Sequence, residues 1–177
     1  MIMLFLDIEN TIIDDLQNCN FLEDNCKKIA HLIKETEPKA LNFFTWGWKD
    51  KKEVDINIVN RMLIKLGIDP MHIGRACFVL TKATSVNEVI KSGWLAQEDF
   101  DRAIQPGMMA EFGISKPSCF IEMVLNNITE ATLRQVDATI KNPLEVWLVD
   151  DLIEEKETLD FFGGIFKIVM INPKDLK

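Results

Sequence analysis

Asp7 directly follows the apolar run MIMLFL, Thr45 follows LNFF, Asp150 and Asp151 follow VWLV, and Lys116 stands just before Pro117. If the three runs are parallel strands of one sheet, their carboxyl ends share an edge. Three carboxylates and a hydroxyl that are far apart in sequence then meet in one crevice. Converging carboxylates repel one another, so the crevice requires a cation. Hard oxygen donors in this number suit Mg²⁺, which takes one or two carboxylates and leaves its other positions to water and phosphate. Lys116 reads as the first turn of a helix, where the macrodipole opposes a cation by about 0.3–1 kcal/mol. A lysine there is better placed facing an anion.

The elements that must position these residues are legible as alternating patterns. Apolar runs of strand length occupy residues 1–6, 40–45, 76–80, 145–149 and 165–171, several of them apolar on both faces, as in a covered parallel sheet. Helical periodicity runs through Cys26, Ile29, Ala30 and Ile33 up to Pro38, and again through Ile58, Met62 and Leu66 in a helix over 52–66 that Gly67 caps. Further helices are expected over 85–94, 117–126, 130–140 and 152–162, the last ended by Gly163 and Gly164. The alternation predicts an α/β fold: a doubly wound, mainly five-stranded parallel sheet with helices on both faces.

A chain of 177 residues suits one domain over 1–177, and 47% hydrophobic residues are enough for a buried core, which excludes disorder. The net charge of −8 argues against a broad basic face for nucleic acid. No basic region precedes the N-terminal apolar run, and Asp7 interrupts it far short of the roughly 20 residues of a membrane span, so no membrane partner is expected. Cys19, Cys26, Cys77 and Cys119 form neither a CxxC pair nor a zinc-ligand spacing. They read as small apolar residues of a reducing, cytoplasmic compartment.

In this order the residues resemble the haloacid dehalogenase-like (HAD) hydrolases, most of which are Mg²⁺-dependent phosphatases on a Rossmannoid fold. The resemblance covers nearly the whole chain. Asp7-Ile8-Glu9-Asn10-Thr11 is similar to the first motif, DxDx(T/V) after a hydrophobic strand; Thr45 at the end of LNFFT is similar to the second. Lys116-Pro117 resembles the third, a lysine opening a helix, and Asp150-Asp151 the fourth, an acidic pair after a strand. The resemblance implies that Asp7 attacks phosphorus and carries an aspartyl-phosphate, and that Mg²⁺ is held by Asp7, the backbone carbonyl of Glu9 and one or both of Asp150 and Asp151. It further implies that Thr45, the Trp46 amide and Lys116 grip the phosphoryl oxygens, and that Glu154 or Glu155 orients the acidic pair from one helical turn away.

One position departs from the family. Family phosphatases carry Asp where this chain has Glu9, the group expected to protonate the leaving group and later activate water. Glutamate performs the same proton chemistry with its carboxyl about 1.5 Å further out, and misplacement of about 1 Å can cost 10²-fold. The alternative is therefore a catalytically impaired phosphate-binding or scaffold protein. A third reading is a phosphotransferase built on the same intermediate.

Family members select substrates largely through cap insertions, and here only a small helical insertion fits within 82–115. The site is expected to be open, for a phosphorylated small molecule, a nucleotide or a macromolecular phosphate, or closed by a neighbouring subunit in a homo-oligomer. Trp46 and Trp48, flanking Gly47, either form a wall on which a flat leaving group stacks or cover the sheet edge as core. Residues 105–113, with Pro106, Met108, Met109 and Phe112, read as a flap near Lys116 or as a subunit contact. His31 and His72 lack a catalytic partner, and residues 97–102 read as a solvated helix face.

Overall fold

A computed structural model describes residues 1–70, 78–133 and 144–177. Strand β1 (Ile2–Leu6) is followed by helix α1 (Glu23–Thr36), β2 (Ala40–Phe44), α2 (Ile56–Lys65), the two-residue β3 (Val79–Leu80) and α3 (Lys82–Lys91). Two single-turn helices, α4 (Phe100–Ala103) and α5 (Met108–Glu111), lead into the long α6 (Lys116–Leu133). The chain closes with β4 (Leu144–Val149), β5 (Glu157–Phe161) and β6 (Phe166–Ile171).

Among the described residues the strands form one six-stranded sheet in the order β3-β2-β1-β4-β6-β5. Every pairing is parallel except that of β5 with β6. The order changes direction at β1, which pairs with β2 on one side and β4 on the other, and such a switch point opens a crevice at the carboxyl ends of the strands.

Burial follows the strand pleat. Leu4 and Leu6 join a cluster with Cys26, Ile29 and Leu32 of α1 and Val59, Met62 and Leu63 of α2. Phe5, of opposite phase, joins a second cluster with Val86 and Val89 of α3 and Phe120, Met123 and Val124 of α6. There the Phe5 and Phe120 rings meet edge to face with centroids 5.2 Å apart. The central strands are thus apolar on both faces because helices supply both clusters, and this fixes where the strands end.

The segment after β4 corrects the sequence reading. Residues 152–162 do not form a helix: 157–161 are strand β5, so the sheet is mixed and has one strand more than expected. The charged run EEKE hides the alternation that begins only at Leu159 and Phe161, which are half-buried while Asp160 faces out. Cross-strand partners then fix the hairpin: Asp160 lies opposite Lys167, their charges 3.4 Å apart, and Phe161 stacks on Phe166 with centroids 5.5 Å apart. Phe162, Gly163 and Gly164 all have positive φ (52°, 68° and 87°), so the glycines serve a tight hairpin turn and not a helix end. Charges on exposed β5 also blunt the sheet edge.

Smaller differences concern the helices. The helices expected over 117–126 and from residue 130 are one continuous α6 as far as Leu133; the expectation beyond it lies outside the described residues, as do residues 76–77 of the expected third strand. Asn126 and Asn127 do not break α6, because Asn126 Nδ2 donates to Ser92 Oγ (2.9 Å) and Asn127 Nδ2 to the Met123 carbonyl (2.8 Å). Helix α3 begins at Lys82, three residues earlier than expected. No helix among the described residues is long and apolar enough to cross a membrane.

Candidate functional site

Asp7 continues the line of β1, its N–H donating to the Val149 carbonyl at 2.9 Å, and so its side chain emerges at the sheet edge beside the end of β4. Asp150 and Asp151 follow β4 there. Lys116 arrives from the other side because α6 starts at that point: Ser115 and Ser118 cap the helix reciprocally, each N–H donating to the other's hydroxyl at 3.2 Å. Pro117 lacks an N–H in the first turn, where none is needed.

These choices bring together groups 143 positions apart in sequence, as Asp7 and Asp150 are. Asp7, Asp150 and Lys116 are all at least 95% buried. The Lys116 ammonium contacts an Asp7 carboxylate oxygen and lies 2.8 Å from Asp150 Oδ2. The second approach is an ion pair, and apart from it Asp150 Oδ2 is buried without a hydrogen-bond partner. Asp150 Oδ1 accepts the Leu152 N–H at 2.9 Å. One oxygen from each of Asp7, Asp150 and Asp151 lies within 4.8 Å of the others.

Thr11, the fifth residue of the DIENT stretch, ties the two strand ends together. Its hydroxyl lies 3.4 Å from Asp7 Oδ2 and accepts the Asp151 N–H at 3.2 Å. Asn172 braces the same turn from beyond β6, its Nδ2 donating to the carbonyls of Asp151 and Ile153, both at 2.9 Å. Sequence reasoning assigned a role to neither residue. Thr11 had a signal in its motif, whereas Asn172 had none.

The electrostatics follow from burial. Desolvation pushes Asp7 from 3.8 up to about 7; the Lys116 charge pulls it down and the Asp150 carboxylate pushes it further up. Asp151 is raised by burial and by Asp150. Burial alone would lower Lys116, but Asp7 and Asp150 outweigh it and hold the ammonium protonated above its usual range. Three carboxylates against one ammonium leave two negative charges uncompensated when all are ionised. The donors are oxygen only, and a buried Asp150 oxygen lacks a hydrogen bond. Such a donor set fits a hard divalent cation.

Beside the triad lies a cleft of about 300 Å³ lined by Asp7, Glu9, Asn10, Thr45, Trp46, Gly47, Lys82, Pro106, Gly107, Lys116, Asp151 and Leu152. Thr45 is 1% exposed at the end of β2, and its Oγ1 accepts the Gly47 N–H at 3.0 Å. The half-buried Glu9 rests its carboxylate on the Gly47 backbone, where any side chain would collide with it, and accepts the Leu16 N–H at 3.3 Å. Asn10, at φ 57°, turns the chain sharply after Glu9.

The two tryptophans divide the roles open to them. Trp48 is buried in the core cluster with α1 and α2. Trp46 lines the cleft, its indole Nε1 donating to Ser85 Oγ on α3 at 2.8 Å. From the 105–113 segment, Pro106 and Gly107 border the cleft while Met109 is core. Glu154 and Glu155 go elsewhere: both are exposed and line a separate depression of about 460 Å³ with Pro117 and Lys156. Without a helix over 152–162, the one-turn spacing that would return them to the acidic pair does not exist. Lys82 is a cleft residue that the sequence reading overlooked.

Of the other residues, His31 is exposed and lies 3.1 Å from Glu35 along α1, and His72 is outside the described residues. Cys19, Cys26 and Cys119 are free thiols. Burial pushes Cys26 up to about 11 and Cys119 to about 12, leaving both unreactive. Comparison of the chain with protein-family models, with curated proteins and with solved structures gives no match.

Proposed function

We propose that this chain is a HAD-type phosphatase that hydrolyses a phosphomonoester through an aspartyl-phosphate on Asp7, with Mg²⁺ as its cofactor. The observation that carries this reading is the meeting of Asp7, Asp150, Asp151 and Lys116 at the carboxyl edge of the sheet, beside an open cleft that Thr45 also lines. Strand order β3-β2-β1-β4-β6-β5, with helices packed into two core clusters, supports a doubly wound Rossmannoid assignment.

In this mechanism Asp7, the Glu9 carbonyl and Asp150 or Asp151 would hold Mg²⁺, which would supply positive charge to the phosphoryl oxygens. An Asp7 carboxylate oxygen attacks phosphorus, forming the P–O bond of the aspartyl-phosphate as the bond to the leaving oxygen breaks. The Glu9 carboxyl gives its proton to that oxygen. Glu9, now a carboxylate, takes a proton from water, whose oxygen attacks phosphorus, and phosphate leaves as Asp7 is regenerated. Lys116 and the Thr45 hydroxyl hold the phosphoryl oxygens whose charge must be stabilised on the way. The ammonium also favours the ionised form of Asp7, opposing in part the burial that favours its neutral form.

Hydrolysis of a panel of phosphomonoesters, with and without Mg²⁺ and with Asp7→Asn as the blank, tests the reading. Turnover that needs both the ion and Asp7 is expected. Turnover that survives Asp7→Asn in a folded protein overturns the mechanism.

A further inference from the structure

The cleft contains a second buried cation that the proposed chemistry leaves unused. Lys82, the first residue of α3, is only 4% exposed. Its ammonium donates to the Gln105 carbonyl and lies 5.8 Å from the centre of the Trp46 ring. Lys116 faces two carboxylates, whereas among the described residues no carboxylate pairs with Lys82. Its partners are a carbonyl dipole and an aromatic face, which hold a cation in place without neutralising it. Burial alone lowers its pKa, a cost that a bound counter-ion would offset.

The backbone of α3 does not compete for this role. The N–H groups of Lys82 and Ala83 are taken by the carbonyls of Trp48 (3.1 Å) and Lys49 (2.9 Å), so the side chain is what this helix end offers the cleft. Lys82 is anchored to the 105–107 segment, and its neighbours along the wall are Trp46, Pro106 and Gly107. Apart from the Trp46 backbone amide, which the family resemblance assigns to the phosphoryl oxygens, none of these is needed to hold the transferred phosphoryl group; the Trp46 indole is free for another role. The volume of about 300 Å³ is at the lower end of sites that take whole small molecules, so it accommodates more than one phosphoryl group.

We infer that Lys82, with Trp46 and the Pro106–Gly107 turn, forms a leaving-group subsite for a second anion, so the substrate is a phosphomonoester that also carries another phosphate or a carboxylate. This rests on the phosphatase reading of Asp7, Thr45 and Lys116, which assigns the transferred phosphoryl group to the other part of the cleft. Lys82 charge-pairs with the second anion while Trp46 packs against the body of the leaving group.

Binding without turnover tests it. Calorimetry on the Asp7→Asn protein with Mg²⁺ compares adenosine 3′,5′-bisphosphate with adenosine 5′-monophosphate, fructose 1,6-bisphosphate with fructose 6-phosphate, and 3-phosphoglycerate with glycerol 3-phosphate. The third pair separates a carboxylate from a second phosphate. In at least one pair the doubly anionic compound is expected to bind at least about tenfold more tightly, and Lys82→Met to erase that preference. Lys82→Arg keeps the charge and the preference, and provides the comparison if the Met variant fails to fold. Two results overturn the inference: no pair showing the preference, or Lys82→Met weakening both members of a pair equally. Failure of the phosphatase reading is a separate result, namely that the parent protein with Asp7 intact hydrolyses nothing while the binding preference stands.

Discussion

Without a cation, the protein should lose stability as the pH rises through the range in which Asp7 ionises. Burial raises the Asp7 pKa from 3.8 to about 7, so the folded chain holds a proton that the unfolded chain has already released. The favourable contribution of neutral Asp7 is therefore complete below about pH 4, declines between about pH 4 and 7, and levels off above. Each pH unit within that window is worth about 1.4 kcal/mol, so between pH 5 and 8 the loss attributable to Asp7 is about 3 kcal/mol. For a chain of this size that is a fall in Tm of roughly 6–12 °C. Urea unfolding in EDTA at pH 5, 6, 7 and 8 measures it, with Asp7→Asn as the isosteric control that cannot titrate. The difference between the two proteins should shrink or reverse by about that amount as pH rises. Added Mg²⁺ should flatten the parent profile, because the ionised carboxylate then has its counter-charge. Parallel profiles for parent and Asp7→Asn would refute the reasoning that burial, opposed by Lys116, governs this carboxyl.

Further outcomes follow from individual contacts. Gly47→Ala puts a methyl group 2.7 Å from Leu16 Cδ1 and against the Glu9 carboxylate, so it should lower kcat by about 10²-fold with little change in KM, as steady-state kinetics would show. Glu9→Gln should lower kcat by about 10²–10⁴-fold while leaving Mg²⁺ binding measurable by calorimetry, since the implied metal contact is the backbone carbonyl. Thr11→Val leaves the Asp151 N–H without its acceptor and should cost about 1–3 kcal/mol in urea unfolding. Lys116→Met leaves two buried carboxylates facing each other and should destabilise the metal-free protein by about 3–5 kcal/mol, with Mg²⁺ restoring part of the loss.

What the sequence reveals and what it hides divide along physical lines. Asp7, Thr45 and Asp150 were legible because each ends a short strand apolar on both faces, a pattern characteristic of a parallel sheet covered by helices. Lys116 was legible through Pro117 and the helix that follows. Strand β5 was not, since its inward positions are only Leu159 and Phe161 and its exposed charges match those of a solvated helix. Glu154 and Glu155 were misplaced with it. Lys82 was hidden not by the strand, whose expected end at Leu80 is where β3 ends, but by the helix, expected only from residue 85 whereas α3 already begins at Lys82. Asn172 acts across the turn after β6, through contacts that exist only once β4 and β6 pair.

The nucleophilic role proposed for Asp7 is tested most directly by quenching a single turnover in acid and mapping the peptides by mass spectrometry. The account predicts a phosphoryl group on the peptide that contains Asp7, dependent on Mg²⁺ and absent from Asp7→Asn. Steady hydrolysis with no such adduct, and with full activity retained in a folded Asp7→Asn protein, would contradict it.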